Sequence, residues 1–114
     1  MIRLACALFG RKVRPSYCFL SMYGPDGICP PHTDRPQSQF AIDVCVRSDG
    51  EWPIYINGSV YVSRPGEALA YSGVRQRHYR MPMARDGTCS YMDLVLFFFV
   101  PAERRGYSPA GGAR

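Results

Sequence analysis

The sequence predicts a mainly β protein, a double-sheet jelly roll of about eight antiparallel strands behind one short helix. Three observations predict it. Short apolar or alternating segments recur along the chain, and Gly, Pro, Asp-Gly and Asn-Gly turn signals separate them at regular intervals. Beyond residue 9, no apolar spacing of helical period persists for the length of a helix.

Taken in order, Ile2, Leu4, Ala5, Leu8 and Phe9 fall near the helical period and Gly10 stops them, so residues 2–9 read as the last turns of a helix. Strands are then expected at Tyr17 to Tyr23, Pro31 to Asp34, Gln39 to Val46, Pro53 to Ile56, Val60 to Ser63, Ala68 to Tyr71, Arg75 to Arg80 and Tyr91 to Val100. Asp49-Gly50, Pro65-Gly66 and Asp86-Gly87 supply turns, and Asn57-Gly58 is the strongest hairpin signal. In the third strand, Phe40, Ile42, Val44 and Val46 alternate with Ala41, Asp43 and Cys45, which predicts that one face packs inward between the sheets; Asp43 points either into the barrel, where it could orient a ligand, or toward solvent, where it could cap a turn, and the structural role is favoured. Trp52, Tyr55 and Tyr61 form an aromatic group on the following hairpin, expected to serve as packing. The tail 102–114, with Gly106, Pro109, Gly111 and Gly112, is expected to be flexible.

At 114 residues this is one domain, 1–114, with its core at about 16–101. A chain of this size buries roughly two-thirds of its unfolded surface. The longest apolar run, Leu94 to Pro101, is shorter than the roughly 20 residues that a membrane span needs. Met1 to Phe9 also lacks the pattern of a signal peptide. A soluble, cytoplasmic protein with no membrane partner is therefore expected. Five cysteines, odd in number and without a Cys-x-x-Cys, suggest neither a disulfide framework nor a zinc ribbon; most are expected to be buried small hydrophobes. The net charge of +5 comes almost wholly from arginine, clustered at 11–14, 75–80 and 104–105. No aromatic-basic module accompanies these clusters, so a solvated surface is favoured over a nucleic-acid face.

The chain has only two histidines, and both enter one ligand pattern: His32-Thr33-Asp34, then His78 after four intervening strands. On extended chain, residues two apart share a face, so His32 and Asp34 can hold one ion while Thr33 points away. Two imidazoles and one carboxylate on one side of a metal make the facial arrangement of non-haem iron(II) oxygenases. Spacing alone also admits His32 and His78 as separate polar residues at strand ends.

The stretch Tyr23-Gly-Pro-Asp-Gly-Ile-Cys-Pro-Pro-His32-Thr-Asp34 resembles the His-x-Asp region of the 2-oxoglutarate and iron(II)-dependent dioxygenases, the superfamily of the prolyl hydroxylases and DNA-repair demethylases. Arg64-Pro-Gly-Glu-Ala-Leu-Ala-Tyr-Ser-Gly-Val-Arg-Gln-Arg-His78-Tyr-Arg80 resembles its Pro-Gly-Asp-Ala strand, turn and distal histidine, and Asp93 to Pro101 its terminal strand. The resemblance covers Ser16 to Pro101 and implies a double-stranded β-helix with Fe(II) on His32, Asp34 and His78 as catalytic ligands. It further implies 2-oxoglutarate as cosubstrate and O₂ as oxidant. Succinate and CO₂ would be released as a peptide side chain, nucleobase or metabolite is hydroxylated or dealkylated.

Two departures stand out. Relatives place a base at the head of the last strand to hold the far carboxylate of 2-oxoglutarate, but here that segment reads Gly87-Thr88-Cys89-Ser90. Arg80, on the inward face two residues beyond His78, is the first candidate to replace it, Arg85 the second, and the Tyr23 hydroxyl a further contact. The helices that buttress the larger sheet in relatives are reduced to residues 2–9, which is read as a minimal member, a truncated gene product, or a chain that covers that sheet by forming a homodimer. A non-catalytic cupin-like module holding a metal or small ligand, or an inactive barrel, is the competing reading.

Overall fold

Eleven short elements follow one another in a computed structural model that describes residues 1–102. They are α1 (Ile2–Phe9), β1 (Val13–Tyr23), β2 (Cys29–His32), a 3₁₀ turn (Pro36–Ser38), β3 (Phe40–Ser48), β4 (Ile54–Ile56), β5 (Ser59–Tyr61), β6 (Ala68–Ser72), β7 (His78–Arg80), α2 (Met83–Asp86) and β8 (Met92–Pro101). The strands form two four-stranded antiparallel sheets, ordered β1-β8-β3-β6 and β2-β7-β4-β5. Every connection except the β4–β5 hairpin carries the chain from one sheet to the other, which is the jelly roll that the sequence predicts. Asn57 and Gly58 both take positive φ, 50° and 89°, the backbone that a tight hairpin requires and that Asn-Gly adopts most readily.

The alternation expected along β3 is present, and the structure decides which of its faces lies between the sheets. Phe40 and Ile42 face away from the second sheet, where they form a core cluster with Ala5 of α1, Val13 and Phe99. Ala41 packs instead with Ile54 and Ile56 of the second sheet, and Asp43 lines the cavity between the sheets. Period two tells the faces apart without saying which one is internal. The short helix decides it, because Ala5, with no exposed surface, and the partly buried Cys6 and Phe9 cap the apolar outer face at one end. A third cluster, Cys45, Trp52, Met83, Met92 and Leu94, closes the other end of the roll.

Further differences are local. β1 begins four residues before the predicted Tyr17 and tolerates Pro15 because it is an edge strand with an irregularity between Pro15 and Tyr17. Arg75 and Gln76 fold into a turn whose N–H groups bond the Ser72 carbonyl, so β7 starts only at His78. Of the five cysteines only Cys45 is fully buried; Cys18 is exposed and the others are half-buried, which corrects the expectation of buried thiols. The edge strand β1 also exposes Leu20 (56%) and Met22 (69%), beyond the reach of α1. No described helix is long and apolar enough to cross a membrane. The predicted flexible tail lies outside the described residues from position 103.

Phe99 joins α1 to the larger sheet through its contacts with Phe9 and the outer cluster. Phe99→Ala is expected to lower unfolding free energy by about 3–5 kcal/mol, measured by urea denaturation followed in the far ultraviolet.

Candidate metal centre

His32 ends β2 and His78 begins β7, and the two are register partners across the antiparallel pair. Residues directly opposite on neighbouring strands present their side chains to the same face, and the imidazole centroids lie 4.3 Å apart. β2 is the edge of its sheet, which is why Pro30 and Pro31 fit there without breaking a central ladder. Asp34 follows two residues after His32, and its backbone N–H donates to the Gly73 carbonyl at 2.8 Å.

The orientation of the rings follows from their outer nitrogens. His32 Nδ1 lies 2.8 Å from the Pro30 carbonyl and His78 Nδ1 lies 2.8 Å from the Gln76 carbonyl. A carbonyl only accepts, so each Nδ1 carries the proton and each Nε2 faces inward as the donor atom to a ligand. Those Nε2 atoms stand 3.2 and 3.3 Å from one oxygen of Asp34, Oδ1, while Asp34 Oδ2 is buried with no partner. The three ligating atoms lie within 4.8 Å of one another. Two neutral imidazole nitrogens and a carboxylate oxygen converging in this way, with a further oxygen orphaned, fit a divalent transition metal. The His78 side chain is 4% exposed and that of His32 42%, so the site sits at the rim of a cavity, with one imidazole inside and one at the mouth.

That cavity encloses about 370 Å³. The exposed Tyr17 and Phe19 and the buried Phe98 form an aromatic wall, with the Tyr17 hydroxyl hydrogen-bonded to Ser38. Asp43, Tyr71 and Arg80 line the cavity as buried polar groups. Arg80 alternates with the half-buried Tyr79 and so shares the inward face of His78; it is 6% exposed. Its guanidinium donates to the Trp52 carbonyl at 2.6 Å and lies 4.9 Å from the Trp52 ring centroid. Trp52 is itself fixed, since its indole N–H donates to the Met81 carbonyl and Tyr23 meets it edge-on. Tyr23 lines the cavity as well. Arg85 does not: it is exposed on α2, where Met83 takes the buried position, and the structure keeps it away from the site.

Electrostatics distinguish the buried groups. Burial raises the Asp43 carboxyl to about 6, against the opposing effects of the Tyr71 hydroxyl bond, Arg80 and His78. Burial and the adjacent Asp43 push the Tyr71 phenol far up, so it remains a donor, and burial likewise raises Tyr23. For His78, burial pulls downward, but the bonds to Asp34 and the Gln76 carbonyl and the Asp34 charge outweigh it, leaving the imidazole raised above 6.5.

The sequence pattern singles out the three candidate ligands but not two residues that support them. Tyr71 carries no mark in the sequence beyond its place in a strand, yet its hydroxyl donates to Asp43 at 2.9 Å. Gly73 carries none beyond its place in a turn, yet a Cβ there would collide with the Asp34 carboxylate and press on the Ser38 carbonyl. No local signal marks Gly73 as special, because the close approach is between segments distant in sequence.

Gly73→Ala should therefore displace Asp34 and cost at least about tenfold in metal affinity, as loss of an outer-shell support typically does, with the far-ultraviolet spectrum unchanged. Titration with Mn(II) or Co(II) against the parent chain measures it. Metal must also displace a proton from His78, whose raised pKa favours the charged form. Affinity is expected to be constant well above that pKa and to fall as pH drops through it, with the decline beginning above 6.5; calorimetry in buffers of different ionisation enthalpy would record the released proton.

No protein-family model and no curated protein matches the sequence. Solved structures do match in shape. AviO1 from Streptomyces viridochromogenes Tue57 superposes with a TM-score of 0.71 at 17% identity, over 94% of this chain and 59% of its own. The cupin_2 domain of an XRE-family transcriptional regulator from Enterobacter cloacae gives 0.55 at 14% identity, over 80% of this chain and 96% of its own. A cupin protein from Bacteroides fragilis gives 0.50 at 17% identity, over 85% and 77%. The chain thus spans 59% of the length of AviO1. At these identities the likeness is one of fold, and the chain has the cupin-like double-stranded β-helix with a His-Asp-His group able to hold a metal.

Proposed function

We propose that the chain is an Fe(II)- and 2-oxoglutarate-dependent oxygenase that hydroxylates, or dealkylates through hydroxylation, a substrate admitted at the aromatic mouth of the cavity. The observation that carries this reading is the convergence of His32 Nε2, His78 Nε2 and Asp34 Oδ1 at the rim of a cavity whose inner wall holds a buried arginine. Bound iron would supply the oxidative decarboxylation of a 2-oxo acid by O₂, releasing succinate and CO₂ when the acid is 2-oxoglutarate.

The remaining work falls to the chain's own residues. His32, Asp34 and His78 would hold the ion through two imidazole nitrogens and one carboxylate oxygen. Arg80, on the same inward face as His78, supplies the cation for the far end of the 2-oxo acid that relatives draw from the head of the last strand. The Trp52 carbonyl and ring keep that guanidinium from turning away. The Tyr23 hydroxyl, held protonated by burial, is a second donor on the cavity wall. Tyr17, Phe19 and Phe98 shape the side where substrate enters and exclude water from it.

A second reading, a non-catalytic cupin-like module, draws on the residues at the head of β8. Cys89 and Ser90 stand where relatives carry the base, and two of the structural neighbours are described as cupins.

Anaerobic titration with Fe(II) and 2-oxoglutarate separates the two, since the oxygenase should develop the weak visible absorption of a chelated 2-oxo acid and then form succinate when O₂ is admitted. Asp34→Ala should abolish both signals. Arg80→Ala should weaken the 2-oxo acid by about 30-fold, roughly 2 kcal/mol, while leaving metal affinity unchanged; parallel loss of both would remove Arg80 from this role.

A further inference from the structure

Where the cavity meets solvent, its lining reduces to a short set. Of the residues that line it, only Tyr17, Phe19, His32, Thr33 and Arg35 are exposed. His32 belongs to the metal group, so two rings, one small hydroxyl and one guanidinium remain to meet a molecule arriving from outside. Tyr17 and Phe19 stand two apart on β1 and share a face. Their rings are nearly parallel, 12° between planes and 6.2 Å between centroids, and the buried Phe98 backs both. With Tyr17 38% and Phe19 45% exposed, they offer a flat apolar platform at the mouth.

Arg35 is fixed to the same framework. It enters the 3₁₀ turn with φ −74° and ψ 162°, the extended backbone that Pro36 imposes on its predecessor. Its carbonyl accepts the Ser38 N–H, and the Ser38 hydroxyl is bonded to the Tyr17 hydroxyl, so one turn anchors both the arginine backbone and the first ring. Among the described residues no carboxylate forms an ion pair with Arg35. Of the carboxylates that line the cavity, Asp34 faces the two imidazoles and Asp43 is buried. The other cavity arginine, Arg80, is buried against Trp52 and is already assigned to the 2-oxo acid. Arg35 is thus the cation left for a second molecule.

We propose that the substrate of this site is a small aromatic acid, its ring lying on Tyr17 and Phe19 and its carboxylate bound by Arg35. This rests on the 2-oxo acid oxygenase reading above and names the substrate class for it. An aryl ring suits offset stacking on the platform, and a carboxylate suits the planar guanidinium fork. A sugar ring of similar footprint needs several hydrogen-bond partners, but the Tyr17 hydroxyl is committed to Ser38 and only Thr33 adds another beside Arg35. The cavity of about 370 Å³ is near the lower end of the range for ligand sites and must hold the cosubstrate too, which limits the substrate to a single small ring.

The test is calorimetry on the full chain at pH 8 with Mn(II) and saturating N-oxalylglycine, a stable 2-oxo acid mimic. Three probes are compared: phenylacetate, phenylacetamide, which lacks the charge, and cyclohexylacetate, which lacks the flat ring. Phenylacetate should bind at least about tenfold tighter than phenylacetamide, the scale of a hydrogen bond to a charged group. It should bind about fivefold tighter than cyclohexylacetate, the scale of a stacked aromatic pair. Arg35→Gln should erase the first preference and Phe19→Leu the second, both at exposed positions and both with N-oxalylglycine binding unchanged. Failure of phenylacetate to bind, equal binding of either other probe, or an unchanged acid preference in Arg35→Gln overturns the proposal. N-oxalylglycine is titrated first: binding that requires Mn(II) leaves the 2-oxo acid reading standing whatever the aromatic acid does, and absence of Mn(II)-dependent binding sinks both.

Discussion

The pairing of His32 with His78 across β2 and β7 is the constraint on which the site depends. A slip of one residue would turn one imidazole to the opposite face of the sheet and dismantle the ligand set. Several features outside the pair guard against it. The Asp34 N–H is tied to the Gly73 carbonyl and the Asn57 N–H to that of Arg77, which anchors the segment leaving β2 and the one entering β7. Cys29 and Arg80 form the second register pair, so the strand pair that sets the metal ligands also sets the depth at which the guanidinium enters the cavity.

The inner wall illustrates a conflict between stability and function. Asp43 holds its proton more tightly folded than unfolded, so its contribution to stability is fully present below the unfolded value of 3.8 and is lost as pH rises through about 6. At neutral pH the chain therefore folds with a carboxylate that burial disfavours, and an apolar residue there would be more stable. Arg80 shows the opposite arrangement: its charge is buried, but a carbonyl and an indole face receive it. Side chains that a scaffold tolerates at such cost are commonly those a ligand later satisfies.

Much of this was legible in the sequence, for identifiable reasons. Period-two alternation and turn dipeptides located the eight strands, and the His-x-Asp step with a lone distal histidine picked out the three side chains that converge as a group able to hold a metal. The limits were equally physical. Alternation in Phe40–Val46 cannot say which face is internal, since that depended on an eight-residue helix from the other end of the chain. The place of Arg85 on the surface was set by the single turn of α2, too short to leave a periodic signature. The close approach of Gly73 to Asp34 and the bond from Tyr71 to Asp43 join residues 39 and 28 positions apart, beyond any local pattern.

The long edge strand β1 has a consequence for how copies of this chain behave in solution. Among the described residues it pairs on one side only, with β8, while Leu20 and Met22 stand exposed on it. An edge of this kind is a template for strand pairing unless something keeps other chains away. The net charge of +5 provides colloidal repulsion at low ionic strength. Physiological salt shortens its range to about 8 Å. Dilute buffer therefore favours dispersed molecules, and added salt brings their sticky flanks within reach of one another.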